Sequence, residues 1–265
     1  LGDVYKRQER MPVRFASLGS GSKGNATLID NGSTCVVIDL GFTIKESVRR
    51  LSRLGLMPED VDAILVTHEH SDHIHGVAGF ARKFGTPVYL TPGTYRYKKM
   101  GELPVLNKIN CHLPFEIGSL TITPVAVPHD AKEPCQYLVT SNDITVGVLT
   151  DLGHITPHVR ETYRECDALL LECNHDAVML QDGPYPYQLK QRVGGDYGHL
   201  NNVQAAGLLD TINLERLRHL VISHVSGKNN DPNLAQDAVR PLLSGWTGSL
   251  VVASQEEGFD WISLT

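Results

Sequence analysis

The sequence lacks the features of a membrane protein or of a protein from an oxidising compartment. No apolar run approaches the roughly 18 residues that a membrane-spanning helix needs. The five cysteines are odd in number, contain no Cys-x-x-Cys pair and lie mostly in apolar runs, which is typical of reduced, buried thiols. No signal-peptide pattern precedes the first predicted strand. We therefore expect a cytoplasmic protein that has no membrane partner.

An excess of positive charge is also absent. The net charge is −6 at pH 7, whereas nucleic-acid binding usually leaves an electropositive surface, so the composition argues mildly against such a partner. It does not exclude one, because bound metal ions would supply positive charge at a site. The 265 residues, 41% of them hydrophobic and 20% charged, are sufficient for a globular protein with a substantial core.

One short stretch carries four potential metal ligands. It follows residues 63–66, a short, β-branched apolar run that predicts a buried strand. Solvent-exposed histidines before a capped helix are the alternative, but four ligand side chains at a strand-to-helix corner favour metal binding. The four ligands are His68, His70, Asp72 and His73.

The spacing within this stretch divides the ligands between two metals. Side chains alternate along an extended loop, so His68 and His70 point the same way and can share one metal. Asp72 and His73 open a predicted helix with Ser71 as its expected N-cap, so they point elsewhere and suit a second metal.

Three later segments place a further candidate ligand directly after a predicted strand. A site with two metals needs them, because each metal takes three or four protein ligands. Each residue taken alone is more typical of a capped strand end than of a ligand. The three residues are His129, Asp151 and His224.

The order of these ligands resembles the signature of the metallo-β-lactamase fold, and downstream segments resemble its YycJ/WalJ-like branch. The resemblance covers nearly everything from Met11 to the C-terminus. The downstream segments are ECNHD at 172–176, GPYP at 183–186, LKQR at 189–192, GHLNN at 198–202 and SHVSGKNN at 223–230.

The resemblance implies a four-layer αββα sandwich, an α/β protein (α+β by some schemes) with two mixed sheets flanked by helices and two metal ions at the sheet edge. Asp151 would bridge both metals. The remaining implied ligands are His68, His70 and His129 for one metal and Asp72, His73 and His224 for the other.

The bridging carboxylate that the resemblance implies restricts the reactions that the site is expected to catalyse. The β-lactamases of this fold carry cysteine at the position of Asp151, so hydrolysis of antibiotics is not expected. Two cations that share a carboxylate and a bridging hydroxide suit attack on phosphorus or on an activated carbonyl. Ligands that are all nitrogen and oxygen favour zinc, with manganese as a rival.

The YycJ/WalJ-like branch is associated with DNA exonuclease activity and genome maintenance. We therefore expect a metal-dependent phosphodiesterase, a 5′-to-3′ DNA exonuclease acting in DNA repair. Hydrolysis of a small thioester, lactone or cyclic phosphodiester is the enzymatic alternative, and net acidity favours it. A metal-stabilised adaptor without turnover is the non-enzymatic alternative.

Several residues are candidates for catalysis or substrate binding. The metal ligand Asp72 is included among the catalytic residues. His175 and His199 are candidate proton donors or phosphate contacts, with a structural role as the alternative. Glu172 is expected to orient a ligand histidine. The substrate-binding candidates are Ser22, Lys190, Arg192, Lys228 and Asn229.

The remaining expectations concern domain organisation. Residues 1–10 are expected to be a cloning or sequence-assembly artefact before Met11, and residues 11–265 a single domain. Strands are predicted at 111–115 and, as the closing strand, at 249–253. Residues 174–199 are expected to be partly irregular and too few for a separate cap domain, so loops, or a second subunit in a homodimer, would grip the substrate.

Overall fold

The computed structural model describes residues 12–265. The expected artefact at residues 1–10, and Met11, lie outside the described residues. Across residues 12–265, no helix is long and apolar enough to cross a membrane. All five cysteines are buried, which confirms that part of the prediction, and none forms a disulfide within the described residues.

The first sheet has seven strands in the order β14, β1, β2, β3, β4, β5, β6. Pairing is antiparallel from β14 to β3 and parallel from β3 to β6. The strands are β1 (Val13–Gly19), β2 (Ala26–Asp30), β3 (Cys35–Ile38), β4 (Ala63–Leu65), β5 (Val88–Leu90), β6 (Leu106–Lys108) and β14 (Phe259–Leu264).

The second sheet also has seven strands, in the order β13, β12, β11, β10, β9, β8, β7. Pairing is antiparallel from β7 to β10 and parallel from β10 to β13, the same division as in the first sheet. The strands are β7 (Phe115–Ile117), β8 (Leu120–Ala126), β9 (Cys135–Ser141), β10 (Ile144–Leu149), β11 (Ala168–Glu172), β12 (His219–Ser223) and β13 (Ser249–Val252).

Nine α-helices lie among these strands in the described part of the chain. The ends of the helices follow local chemistry: Thr43 caps α1 by accepting a hydrogen bond from Glu46 N, and Asn201 caps α8 from its side chain. The helices are α1 (Ile44–Arg53), α2 (Ser71–Ile74), α3 (Val77–Phe84), α4 (Tyr97–Met100), α5 (Pro157–Tyr163), α6 (Ala177–Asp182), α7 (Tyr187–Val193), α8 (Asn202–Leu209) and α9 (Pro232–Val239).

Three apolar layers hold the molecule together. Phe15 and Tyr137 belong to the layer between the two sheets. Phe80 of α3 belongs to the layer outside the first sheet, and Tyr163 of α5 and Leu208 of α8 to the layer outside the second. The interior strands are buried on both faces, so they read as continuous apolar runs rather than alternating ones. The predicted two sheets flanked by helices are confirmed.

Several predicted elements are wrong in position. Residues 111–114 form a turn and not a strand, because the side chain of Asn110 accepts a hydrogen bond from His112 N and its carbonyl accepts one from Leu113 N. The strand begins only at Phe115. The N-cap of α2 is His70, whose backbone is extended, and Ser71 is already helical.

The far end of the chain also differs from the prediction. The strand that was expected to be the last one is β13. A further strand, β14, follows it, returns to the first sheet and pairs with β1. Segment 174–199, by contrast, was expected to be a partly irregular loop or helix, and the two short helices α6 and α7 confirm this expectation.

Candidate metal centre

The candidate ligands meet where several strands end at one edge of the two sheets. Asp39, Asp151 and His224 follow β3, β10 and β12, and all three have positive φ angles, 59°, 53° and 52°. Aspartate and histidine tolerate this left-handed backbone better than most residues. Strained positions of this kind cluster at functional sites, where the surrounding structure holds them in place.

The first cluster contains three histidines whose ring nitrogens face one another. His68 Nε2 lies 3.0 Å from His70 Nδ1, and His129 Nε2 lies 3.3 Å from the same atom. The outer nitrogens have other partners: His129 Nδ1 donates to the carbonyl of Gly198 at 3.0 Å, and His68 Nδ1 lies 2.9 Å from Thr67 Oγ1. The inner nitrogens of His68 and His129 therefore carry lone pairs that point toward one another, and a cation between them would satisfy both.

The second cluster contains Asp72, His73 and His224. Asp72 Oδ2 lies 3.5 Å from His73 Nε2 and 3.8 Å from His224 Nε2. The outer nitrogens are again held by acceptors, His73 Nδ1 by Asp39 at 2.7 Å and His224 Nδ1 by Glu172 at 2.9 Å. Carboxylates behind histidines fix the ring orientation and leave Nε2 available to a metal.

Asp151 lies between the two clusters. Its Oδ2 is 3.3 Å from His73 Nε2, its Oδ1 is 3.3 Å from His224 Nδ1, and it also groups with His68 within ligand distance. Oδ2 is buried and has no hydrogen-bond donor among residues 12–265. A buried anionic oxygen without a donor is costly, so its position beside ring nitrogens fits a bound cation.

The electrostatics of the cluster agree with this fit. Burial and the neighbouring His73 hold the pKa of His68 well below its usual range, which leaves the imidazole neutral. Burial alone would raise the pKa of Asp151, but His224 and His73 overcome it and hold that pKa well below the usual range. Metals bind neutral imidazole and ionised carboxylate, so His68 and Asp151 are already in the forms that bind a cation. Asp151 and other carboxylates overcome burial and raise the pKa of His73 and of His224, so a divalent cation would displace a proton from each of these two rings.

The loop between β1 and β2 supports both sides of the second cluster. Asn25 donates its backbone N–H to the carbonyl of Asp72 at 2.8 Å, and its Nδ2 lies 3.3 Å from His73 Nε2. Ser20 Oγ accepts a hydrogen bond from His224 N at 2.8 Å. The glycine-rich sequence therefore does more than join two strands.

Asp39, which contacts the candidate ligand His73, was missed by the sequence analysis. It is buried, and it accepts hydrogen bonds from Thr67 N and Thr67 Oγ1, both at 2.8 Å, as well as from His73. One signal could have found it. The tripeptide Asp-Leu-Gly occurs twice, at 39–41 and at 151–153, each time directly after a predicted strand.

Glu172 holds two histidines at once. Its Oε1 lies 2.8 Å from His199 Nδ1 and 2.9 Å from His224 Nδ1, and its Oε2 accepts a hydrogen bond from Leu200 N at 3.0 Å. Burial would lower the pKa of His199, but Glu172 and then Asp151 overcome this and raise that pKa to about 9. Without a bound cation, the Glu172 and His199 pair is therefore a carboxylate with an imidazolium.

An open cleft of about 420 Å³ lies over the ligands. Of the residues predicted to bind substrate, Ser22, Arg192 and Asn229 line it, and so does His199. Arg192 Nε donates a hydrogen bond to Asp130 at the wall of this cleft.

The other candidates lie elsewhere. His175 is not part of the cleft lining; it is buried, and burial lowers its pKa to about 4, which leaves it a poor proton donor at neutral pH. Lys190 also lies outside the cleft lining, and its Nζ donates to the carbonyl of Gln181 at 2.6 Å. Lys228 lines an adjoining cavity instead.

Comparisons with known proteins identify the class. A family model described as beta-lactamase superfamily domain matches residues 34–224. The structure of the metallo-beta-lactamase fold protein YhfI from Bacillus subtilis superposes with a TM-score of 0.68 at 19% identity, covering 96% of this chain and 100% of that one. The fold that the resemblance implied is confirmed, and the chain belongs to the beta-lactamase superfamily of metal-dependent hydrolases.

Two curated relatives are similar over most of their length. The chain is 34% identical to exodeoxyribonuclease WalJ of Streptococcus pneumoniae over 231 residues, 84% of this chain and 85% of the relative. It is 32% identical to exodeoxyribonuclease YycJ of Bacillus anthracis over 237 residues, 88% of this chain and 90% of the relative. Within the superfamily the chain therefore belongs to the WalJ and YycJ family, as the downstream segments indicated.

Proposed function

We propose that this protein is a phosphodiesterase with two metal ions that degrades DNA from an end, in the 5′-to-3′ direction, as part of DNA repair. The observation that carries the proposal is the convergence of imidazole and carboxylate ligands at the floor of a cleft that also contains His199 and Arg192. The names of WalJ and YycJ, both exodeoxyribonucleases, support the choice of DNA. We further propose a cytoplasmic location and keep a homodimer as an untested prediction.

The proposed ligand sets follow the two clusters, with Asp151 shared between them. Zinc is the expected metal because nitrogen and oxygen ligands suit it, and manganese is the rival. Two such cations would neutralise phosphate charge and lower the pKa of water at the site. The proposed sets are His68, His70 and His129 for one metal and Asp72, His73 and His224 for the other.

The chain itself would position substrate and donate hydrogen bonds. His199 is held at Nδ1 by Glu172, so its ring has a fixed orientation at the wall of the cleft. We assign it to donating a proton or hydrogen bond to the phosphodiester. Arg192 would bind a phosphate oxygen, and Ser22 and Asn229 would add polar contacts. We assign His175 a structural role instead, since it is buried and outside the cleft lining.

The direct test compares substrates on one metal-reconstituted preparation. Linear duplex DNA labelled at the 5′ end, single-stranded DNA, RNA and a thioester would be incubated with wild type, with Asp72→Ala and with Asp62→Asn. Asp62 is an exposed carboxylate whose side chain accepts a hydrogen bond from Cys35 N, so Asp62→Asn is a surface control away from the cleft.

The proposal predicts progressive nucleotide release by wild type and Asp62→Asn and none by Asp72→Ala. The order in which the label appears gives the polarity. Turnover of the thioester alone would replace the proposed substrate with the small-molecule alternative. Equal DNA degradation by Asp72→Ala would exclude the proposed metal centre as the source of activity.

A further inference from the structure

A second cavity of about 940 Å³ adjoins the metal cleft. Ser22, Tyr185 and Ser226 line both, so the two spaces are continuous around these side chains. We propose that the second cavity binds a single-stranded segment of the nucleic acid next to the scissile phosphate, with Tyr185 as the surface on which a base stacks. This inference rests on the proposed nuclease function and adds the form in which that site takes its substrate.

Tyr185 and Lys228 together offer what a nucleotide needs. Lys228 Nζ lies over one face of the Tyr185 ring, 5.7 Å from its centre, so an ammonium and an aromatic ring are neighbours where the two spaces meet. An aromatic side chain stacks on any base, and a neighbouring cation binds the phosphate of the same strand. Because stacking needs a base whose face is free, this pairing favours an unpaired strand end.

The charges in the second cavity agree with a phosphate path. Lys23 and Lys228 line it, and within residues 12–265 neither side chain forms an ion pair. Asp231 and Glu256 also line it, so the cavity is not uniformly basic. Both lysines belong to segments that carry shared lining residues, Lys23 beside Ser22 and Lys228 two residues after Ser226.

An unsatisfied side chain, Asn229, lines the metal cleft and follows directly after Lys228 of the second cavity. Asn229 is only 1% exposed, it lines the metal cleft, and neither its Oδ1 nor its Nδ2 has a hydrogen-bond partner. Its backbone is fixed, because Asp176 N donates to its carbonyl at 2.9 Å and its own N–H donates to Ser226 Oγ at 3.2 Å. A buried amide with both polar atoms unpartnered, beside a cleft, is satisfied by a ligand that offers both an acceptor and a donor, as a nucleotide does.

The test is the dependence of rate on strand length. Unpaired oligodeoxynucleotides of two and of eight nucleotides would be given to the metal-reconstituted enzyme, and the ratio of their kcat/KM values measured. Wild type is expected to favour the longer strand. Tyr185→Ala and Lys228→Gln are each expected to lower that ratio about 5-fold or more, the size of one lost base stack or phosphate contact, whereas Tyr185→Phe retains it.

Two matched variants control for surface changes. Tyr187→Ala removes a tyrosine that is 75% exposed and lines neither space, and Lys108→Gln removes an exposed lysine on the edge strand β6. Both are expected to keep the wild-type ratio. Thermal unfolding is measured for every variant to identify any that does not fold. If Tyr185→Ala does not fold, the comparison rests on Lys228→Gln and Tyr185→Phe.

The outcomes separate this inference from the proposed function. A wild type without length preference, or variants at Tyr185 and Lys228 that keep the wild-type ratio, would overturn the strand-binding cavity while DNA cleavage stands. A wild type that cleaves neither oligonucleotide but hydrolyses a thioester would overturn both.

Discussion

Replacing Asp39 with asparagine should weaken metal binding, although the side chain at this position does not contact the cleft. Asp39 Oδ2 accepts hydrogen bonds from His73 Nδ1 at 2.7 Å and from Thr67 Oγ1 at 2.8 Å, and Oδ1 accepts from Thr67 N at 2.8 Å. Thr67 Oγ1 in turn lies 2.9 Å from His68 Nδ1. One buried carboxylate therefore holds a histidine from each metal cluster.

Asparagine reverses the direction of the hydrogen bonds at the Oδ2 position only. Its single oxygen must face Thr67 N–H, because the alternative sets two N–H donors against each other. Its NH₂ group then takes the place of Oδ2 and favours His73 with a bare Nδ1 and a proton on Nε2, the atom that faces the second cluster. The Thr67 hydroxyl can turn in the same way and donate to His68. Both ligand histidines are thus biased toward the tautomer that does not bind metal.

The expected loss is 10- to 100-fold in metal affinity, or about 1.4–2.7 kcal/mol, the usual effect of removing a partner behind a ligand. Competition for zinc against a chromophoric chelator measures it. Asparagine also tolerates the positive φ at this position, so the fold should persist.

Asp62→Asn is the matched control. It makes the same chemical change at the other end of the first sheet, where the carboxylate accepts a hydrogen bond from Cys35 N, and it should leave zinc affinity unchanged. Wild-type affinity in Asp39→Asn, with folding verified, would refute the tautomer argument. An equal loss in both variants would point to a general charge effect instead.

Three further predictions test packing, substrate charge and the metals. Gly41→Ala would place a Cβ 1.8 Å from the carbonyl oxygen of Asp72, so the free energy of unfolding measured in urea should fall by about 1–3 kcal/mol or more. Gly207 has open space around it, so Gly207→Ala should be neutral or slightly stabilising. Equal unfolding free energies for the two variants would contradict the clash. Arg192→Gln should raise KM for DNA and reduce the salt slope of binding by about 0.7–0.9 per lost phosphate contact, while Arg164→Gln, also exposed, should change neither. Chelation should abolish activity and lower the Tm, and metal at 100 times its Kd should restore about 2.7 kcal/mol of stability; an unchanged Tm would argue against the proposed ligands.

The part of the site that could be predicted is local in sequence. His68, His70, Asp72 and His73 fall within one strand-to-helix corner, so their spacing alone indicated metals. The later candidates depended on order and on the resemblance to a family, because nothing local distinguishes a ligand such as His129 from a capped strand end.

The part that could not be predicted depends on contacts between distant segments. Asn25 reaches Asp72 and His73 only because the loop after β1 folds over the start of α2. His175 and His199 both lie in histidine-containing segments downstream, yet only His199 lines the cleft, since the side chain of Glu172 holds it there. Sequence spacing contains no information about which of two such histidines faces solvent.

The repeated Asp-Leu-Gly tripeptide reflects the two sheets themselves. Each sheet changes from antiparallel to parallel pairing at the strand before the tripeptide, β3 in one and β10 in the other. Both glycines face backbone with no room for a side chain: a Cβ on Gly41 would meet the Asp72 carbonyl oxygen at 1.8 Å, and one on Gly153 the Asp196 carbonyl carbon at 2.2 Å. The same turn thus presents an aspartate at the edge of each sheet. Asp151 lies among the candidate ligands, while Asp39 lies behind them, where it contacts His73 directly and His68 through Thr67. The two sheets therefore contribute one aspartate each to a single centre. A substitution of the buried Asp39 should for this reason alter metal binding at both clusters.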